Sequence, residues 1–244
     1  MVAQATADKL RELQLHGMLE ALEQQGRQPE LQQMAFDKRL GHLLDEELQA
    51  REQRRYRRLL GQAKLRQPSA CVEEIDYSHP RGLDREQVQS LATCQWLQHR
   101  QNLCLTGPTG VGKTYLACAL AHQACREGYS VRYYRMRDLF HELRQAHADG
   151  TYPKLARKLS RTSLLVLDDL GLEPVNLGQR YGLFEVIEDR YQHGSILVAS
   201  QLPIEHWHEH LGGASIADAT LDRLLHGSHL MRLQGESMRK TPLS

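Results

Sequence analysis

No cysteine pair in this sequence follows a C-x-x-C spacing, and the five cysteines (Cys71, Cys94, Cys104, Cys118 and Cys125) are odd in number. That argues against a disulfide framework. Cys104, Cys118 and Cys125 sit in apolar patterns, so buried free thiols are expected, as in a reducing cytosol. No apolar run approaches transmembrane length, and the N-terminus lacks the apolar region of a signal peptide. A soluble, cytoplasmic protein with no membrane partner is expected. Net charge is also nearly missing: Lys+Arg of 31 stands against Asp+Glu of 30. The balance therefore says nothing about partners, and only the distribution of charge can. Zinc-finger spacing and an RNA-recognition signature are absent, which leaves base-specific reading unsupported. An Asn-Lys-x-Asp base-reading motif is absent as well, which argues against a GTPase.

What is present begins with Gly107-Pro108-Thr109-Gly110-Val111-Gly112-Lys113-Thr114. This is G-x-x-x-x-G-K-[ST], the phosphate-binding P-loop. Its glycines let the backbone turn tightly and aim N–H groups at phosphate oxygens. Lys113 is placed to reach the β/γ-phosphates of ATP, and the Thr114 hydroxyl to hold Mg²⁺. A short apolar strand, 102–106, leads in. A helix beginning at Tyr115 leads out, and its dipole favours the anion. Residues 107–115 form the expected nucleotide-binding segment.

The 244 residues suit one large domain, or a medium domain with an appendage. Residues 1–67 are rich in Gln, Glu, Arg and Leu and hold a single proline, Pro29. Apolar residues at roughly helical spacing over 8–24, then from Phe36 through Leu48 to Leu65, predict a small bundle of three or four helices. Its end is strongly basic: Arg51, Arg54, Arg55, Arg57, Arg58, Lys64 and Arg66 lie within sixteen residues, opposed there only by Glu52. One reading is a solvated helix whose arginines pair with Glu46 and Glu47. The sharper one is a phosphate-binding surface for duplex DNA, because arginine-dense helices supply sequence-independent affinity. Residues 67–86 read as a linker running onto the second domain, 68–244. Residues 88–99 then read as a helix.

From residue 101 strand and helix patterns alternate, which predicts an α/β fold with a parallel sheet. Strands are expected at 102–106, 130–135, 163–171, 195–200 and 229–234. Helices are expected after the P-loop and at 138–148, 152–159, 177–191 and 217–225. The third strand ends in Asp168-Asp169, the Walker B pattern, at the sheet edge where ligands bind. Asp168 is expected to hold Mg²⁺ through water together with Thr114, and Asp169 to orient or deprotonate the attacking water. Phosphoryl transfer needs mainly positioning and charge stabilisation, so these few groups suffice. Gln201, chosen over Ser200, ends the next strand and could sense the γ-phosphate. Arg223, on the helix before the last strand, reads as an arginine finger donated to a neighbour's nucleotide, with Arg190 a weaker rival. Among His206, His208 and His210 a helical pattern splits the rings, and no Cys or Asp completes a zinc set nearby.

Together these residues resemble the IstB-like transposition helper ATPases of insertion sequences, which belong with the DnaA and DnaC proteins in the initiator group of AAA+ ATPases. The P-loop and Walker B strand say only ATPase. The resemblance is made specific by Leu13-Gln-Leu-His-Gly-Met18, Leu44-Asp-Glu-Glu47, Ala63-Lys-Leu65, Ile75-Asp-Tyr77 and Arg81-Gly-Leu-Asp-Arg85, with Ala199-Ser-Gln201, Asp222-Arg-Leu224 and the run from Gly235 to Lys240 in support. It spans nearly the whole chain. It implies a five-stranded sheet ordered 5-1-4-3-2, ATP-dependent homo-oligomeric assembly around duplex DNA, and delivery of a target site to a partner transposase. It also suggests Arg239 as a second nucleotide- or DNA-contacting arginine. Asp169 stands where most AAA+ proteins have Glu, one methylene longer, which fits slow hydrolysis. The chain stops shortly after the fifth strand, leaving no room for a helical lid, so neighbouring subunits are expected to complete the site. The rival reading is a replicative-helicase loader of the DnaC type, an adaptor with the same ATPase domain and its specificity in the helical bundle. A small-molecule kinase lacks an evident arginine-rich lid.

Overall fold

The structure is a computed structural model, and it describes residues 4–213 and 215–238. Two compact units divide within one long helix, the first reaching Arg58 and the second starting at Leu59.

The first unit opens with α1 (Gln4–Glu12), α2 (His16–Arg27) and α3 (Pro29–Gln32), and takes in most of α4 (Phe36–Ala63). The sequence pattern suggests one helix over 8–24, but the chain breaks between α1 and α2. Gln14 adopts φ of 56°. The Leu15 amide bonds the Leu10 carbonyl at 2.8 Å and the Gln14 amide bonds that of Arg11 at 2.9 Å. This pair is a Schellman-type helix end built on glutamine rather than glycine. α2 then meets α4 closely. A Cβ on Gly17 would lie 2.6 Å from the Ala50 Cβ and from the Glu46 carbonyl oxygen, so the crossing requires glycine.

In the second unit α5 (Arg85–Ala92), capped by Asp84 accepting from the Glu86 amide, and α6 (Gln95–Gln98) precede the sheet. They replace the single helix expected over 88–99, because Cys94 takes a left-handed φ of 59° between them. The alternation continues with β1 (Leu103–Thr106), α7 (Lys113–Arg126), β2 (Val131–Arg135), α8 (Met136–Ala148), α9 (Tyr152–Ser160), β3 (Leu164–Leu170), α10 (Leu177–Arg190) and β4 (Ser195–Ser200). It closes with α11 (Trp207–His210), α12 (Ser215–Leu225) and β5 (His229–Arg232). The strands form one sheet in the order β2-β3-β4-β1-β5, and each neighbouring pair is parallel. This is the expected order.

Parallel strands covered on both faces must be apolar throughout. β1 and β4 are accordingly buried at every position. Successive side chains alternate between the faces. Cys104, Leu165, Leu167, Ile196 and Val198 join α8, α9, α10, α11 and α12 in one cluster, filled out by Leu139, Leu159, Ile187 and Trp207. The alternate set includes Leu103, Leu105, Leu164, Val166 and Leu197, all fully buried, and α7 runs across β1 to β4.

Candidate functional site

All five strands run the same way, so their carboxyl ends deliver Thr106, Arg135, Asp168 and Ser200 to one edge. The register fixes this: Thr106 stands opposite Ser200, and Arg135 opposite Asp168. The P-loop leaves β1 at that edge and feeds the N-terminus of α7. Gly107 and Gly112 are glycines of necessity. A Cβ on Gly107 would lie 2.4 Å from the Leu233 carbonyl oxygen, and Gly112, at φ of 94°, has a guanidinium nitrogen of Arg81 2.4 Å from where its Cβ would be. Val111 is fully buried and anchors the loop. Lys113 is buried and its Nζ donates to the carbonyls of Gly107 and Pro108, each at 2.7 Å, which curls the ammonium back over the loop.

The Walker B carboxylates occupy an irregularity in β3. Leu167 pairs with Val198 and Leu170 with Ser200, so Asp168 and Asp169 together oppose Ala199 alone. This is a β-bulge, and Asp169 takes the left-handed conformation it requires, φ of 65°. A non-glycine residue there costs free energy that the surroundings must offset. Asp168 is 1 % exposed. Its Oδ2 accepts from Thr114 Oγ1 at 2.8 Å and from the Tyr133 hydroxyl at 2.6 Å, and its Oδ1 from the Asp169 amide at 2.8 Å. Burial first, then the adjacent carboxylate, raises the Tyr133 hydroxyl pKa, which keeps it a donor. Burial and the neighbouring Asp168 charge also raise the Asp169 pKa, while Arg66, Arg135 and Lys113 draw it back down.

Gln201 comes to the loop: Thr109 Oγ1 donates to its Oε1 at 2.6 Å. Ser200, the alternative at this strand end, is committed elsewhere, donating to the Leu170 carbonyl and accepting from the Leu202 amide. Tyr115 points its hydroxyl to the Cys71 carbonyl at 3.4 Å, tying the first turn of α7 to the linker.

Arg223 lies far from this cluster. Asn102, which precedes β1, donates to the carbonyls of Arg223 and Leu224 at 3.0 and 3.1 Å, so Arg223 sits at the amino edge of the sheet. From Asn102 to Gly107 the strand climbs about 16 Å at roughly 3.3 Å per residue, longer than an arginine side chain. Its guanidinium pairs with Glu188 and lies over the rings of Phe184 and Tyr191. The rival Arg190 is wholly buried and bonds the carbonyls of Leu159, Ser163 and Ser195. Burial pushes its pKa down to about 10. It ties α10 to the amino ends of β3 and β4 and has no free face to give a neighbour. Arg239 lies outside the described residues.

The basic run divides. Arg51 and Arg54 donate to Glu47 Oε1 at 2.8 and 3.1 Å, the pairing that the blander sequence reading named. Arg55, Arg57, Arg58 and Lys64 are exposed. Arg66 is exposed as well, but its guanidinium is turned to the Walker B end of β3. It bonds Asp169 Oδ2 at 3.4 Å.

Two residues at the site escape sequence reasoning. Tyr133 carries a signal only in retrospect, since alternation along β2 turns it to the face opposite Tyr134. Arg81 belongs to the Arg81-Gly-Leu-Asp-Arg85 run, but nothing in that run says that its side chain, 5 % exposed, would donate to the Val111 carbonyl at 2.9 Å and brace the P-loop.

A P-loop rising from β1 of a 2-3-4-1-5 sheet, with paired carboxylates at the end of β3 and β4 between the two strands, narrows the class to ATP-binding AAA+ ATPases. Solved structures agree on the fold. DnaI superposes with a TM-score of 0.59 over 72 % of this chain and 93 % of its own, at 20 % identity. AMPPCP-bound DnaA from Aquifex aeolicus superposes with a TM-score of 0.55 over 68 % of this chain and 50 % of its own, also at 20 % identity. Within that class the chain belongs to the IstB-like ATP binding protein family, whose model matches residues 8–243. The insertion sequence ATP-binding protein y4pL of Sinorhizobium fredii is 44 % identical over 98 % of both chains. The IS21 insertion sequence ATP-binding protein of Pseudomonas aeruginosa is 33 % identical over 95 % of this chain and 85 % of its own. No helix among the described residues is long and apolar enough to cross a membrane.

Proposed function

We propose that this chain is a DNA-binding ATPase that assembles with copies of itself on duplex DNA, in the cytoplasm, and assists a partner transposase in target selection. The supporting observation is the exposed Arg55, Arg57 and Arg58 on α4 in a chain whose relatives carry insertion-sequence names. Within the ATPase unit, Lys113 neutralises β/γ-phosphate charge and the P-loop amides cradle the phosphates. Thr114 Oγ1 and Asp168 Oδ2 converge to 2.8 Å. This hard oxygen pair suits Mg²⁺, which prefers a few protein oxygens beside water and phosphate. Held there, Mg²⁺ would supply positive charge to offset the charge developing on the transferred phosphoryl group. Asp169 orients and deprotonates the attacking water, Gln201 senses the γ-phosphate from beside Thr109, and Arg223 serves a neighbouring subunit's nucleotide.

The DNA contact is tested by salt. Phosphate neutralisation makes affinity fall with salt in proportion to the number of contacts. Changing Arg55, Arg57 and Arg58 together to Glu should weaken binding to all duplexes alike and flatten the salt slope by about 0.9 per lost contact. An unchanged slope places the DNA surface elsewhere.

A further inference from the structure

The last arginine of the basic run faces the hydrolytic site. α4 stops at Ala63, and Lys64 turns the chain with φ of 52°. Leu65 pins that turn in the core at 8 % exposure. Arg66 therefore starts from a fixed backbone beside the nucleotide site. Its Nη1 donates to Asp169 Oδ2, and its guanidinium lies against Tyr133, the residue that holds Asp168. Asp169 is itself fixed by the left-handed bulge, so the pair has little room to drift apart by backbone motion.

We propose that Arg66 is a positioning residue of ATP hydrolysis: its guanidinium latches the Asp169 carboxylate and withholds it from the attacking water until the pair opens. The inference rests on Asp169 acting on that water. In hydrolysis the water oxygen bonds the γ-phosphorus as the bridging P–O bond breaks to release ADP, and the water's proton passes to Asp169. A guanidinium donating to Oδ2 occupies an acceptor site that this proton needs. The latch is light enough to open. At 3.4 Å it is a long hydrogen bond, and the two side chains keep 42 % and 26 % of their exposure. The segment reaching Asp169 from α4 thus becomes a control on turnover rather than one more phosphate contact.

The test uses the full chain. Arg66→Ala should raise kcat for ATP roughly two- to fivefold, the scale of one partly exposed ion pair. KM and the affinity for a fluorescent ATP analogue should stay unchanged. Arg66→Lys, which keeps the charge and loses the fork, should fall between Ala and the parent. In an Asp169→Asn background Arg66→Ala should change nothing. Hydrogen exchange without nucleotide gives a readout free of turnover: the 65–67 amides should exchange faster in Asp169→Asn than in the parent. Equal or lower kcat in Arg66→Ala, with Asp169→Asn inactive, overturns the latch and leaves Asp169 in its role. An Asp169→Asn protein that hydrolyses ATP at the parent rate overturns the role of Asp169, and the latch with it.

Discussion

The two units bury charge for different ends. In the helical unit the buried charge is Glu47, surrounded by amides of α2 and by two arginines of its own helix. It organises a small core, while large apolar side chains such as Leu13, Phe36 and Leu48 stay exposed. The ATPase unit has a continuous apolar core, and its buried Lys113 and Asp168 sit at the sheet's carboxyl edge, Lys113 bonded to P-loop carbonyls and Asp168 to the Thr114 and Tyr133 hydroxyls. Burying a charge costs free energy unless partners compensate. In the first unit that compensation holds helices together. In the second it lies where the P-loop and the Walker B strand meet the sheet edge, and the sheet carries stability. Substituting Glu47 should therefore cost the first unit its stability and substituting Lys113 or Asp168 the second its catalysis, whereas Arg190, which ties α10 to the sheet, belongs with stability.

Arg223 offers the largest expected departure from this division, because in the role proposed for it the effect depends on a second copy. At the amino edge it cannot reach its own P-loop, and its charge is held by Glu188 in the isolated chain. Arg223→Ala should lower kcat by about 10³–10⁵, the range for arginine fingers, with ATP affinity retained. Lys113→Ala should lose ATP binding and keep its finger. Each is inactive alone, and a mixture should regain partial turnover at junctions that pair an intact loop with an intact arginine. A mixture that stays inactive although co-assembly is demonstrated removes the trans role.

Tyr133 sharpens the same contrast inside one subunit. Its hydroxyl holds Asp168 Oδ2, the oxygen that also meets Thr114. Outer-shell partners of metal ligands typically contribute 10–100-fold. Tyr133→Phe should cost roughly that much in turnover and raise the Mg²⁺ concentration needed for half-maximal rate. Melting temperature should move little, since the ring still packs. A large loss of stability with normal Mg²⁺ dependence would make Tyr133 a core residue only.

The legible parts of the chain are those where side-chain type and backbone need coincide. The P-loop glycines, the apolar strands and the carboxylate pair after β3 announce themselves, and strand order followed from family resemblance. The breaks at Gln14 and Cys94 and the turn at Lys64 were hidden because each left-handed position is held by a residue other than glycine or asparagine. The signal for a helix end is the residue that tolerates positive φ most cheaply. When tertiary packing fixes the turn instead, periodicity runs straight through it. The same holds for Asp169, whose type predicts a carboxylate at the sheet edge but not its bulge. Charge runs mislead for a related reason. Seven basic residues in one stretch look alike in sequence, yet Glu47 and Asp169 claim three of them.

Glu47 gives the smallest effect and the cleanest measure of how the helical unit is built. It is 4 % exposed, and its Oε2 accepts from the Met18 amide at 3.1 Å. It thus caps α2 from another helix, where Leu15 at the N-cap supplies no side-chain bond. Burial alone would raise its pKa, but hydrogen bonds from Arg51, Met18, Arg54 and Gly17 outweigh burial and lower it below the ordinary 4.5. A carboxylate with a depressed folded-state pKa adds stability that is fully present above its unfolded value. That stability is lost as pH falls through the folded value. Glu47→Gln keeps the shape and removes the charge, so at pH 7 the α2 amides should lose about 1–3 kcal/mol of protection against hydrogen exchange. The exposed arginines account for little of this, since solvent screens them. Below pH 4.5 the difference between variant and parent should shrink as the parent's carboxylate protonates. A gap that is constant with pH would assign the loss to shape rather than charge. The helical unit would then rest on the close Gly17 crossing and on its small apolar core of Ala7, Leu19, Ala21 and Leu43.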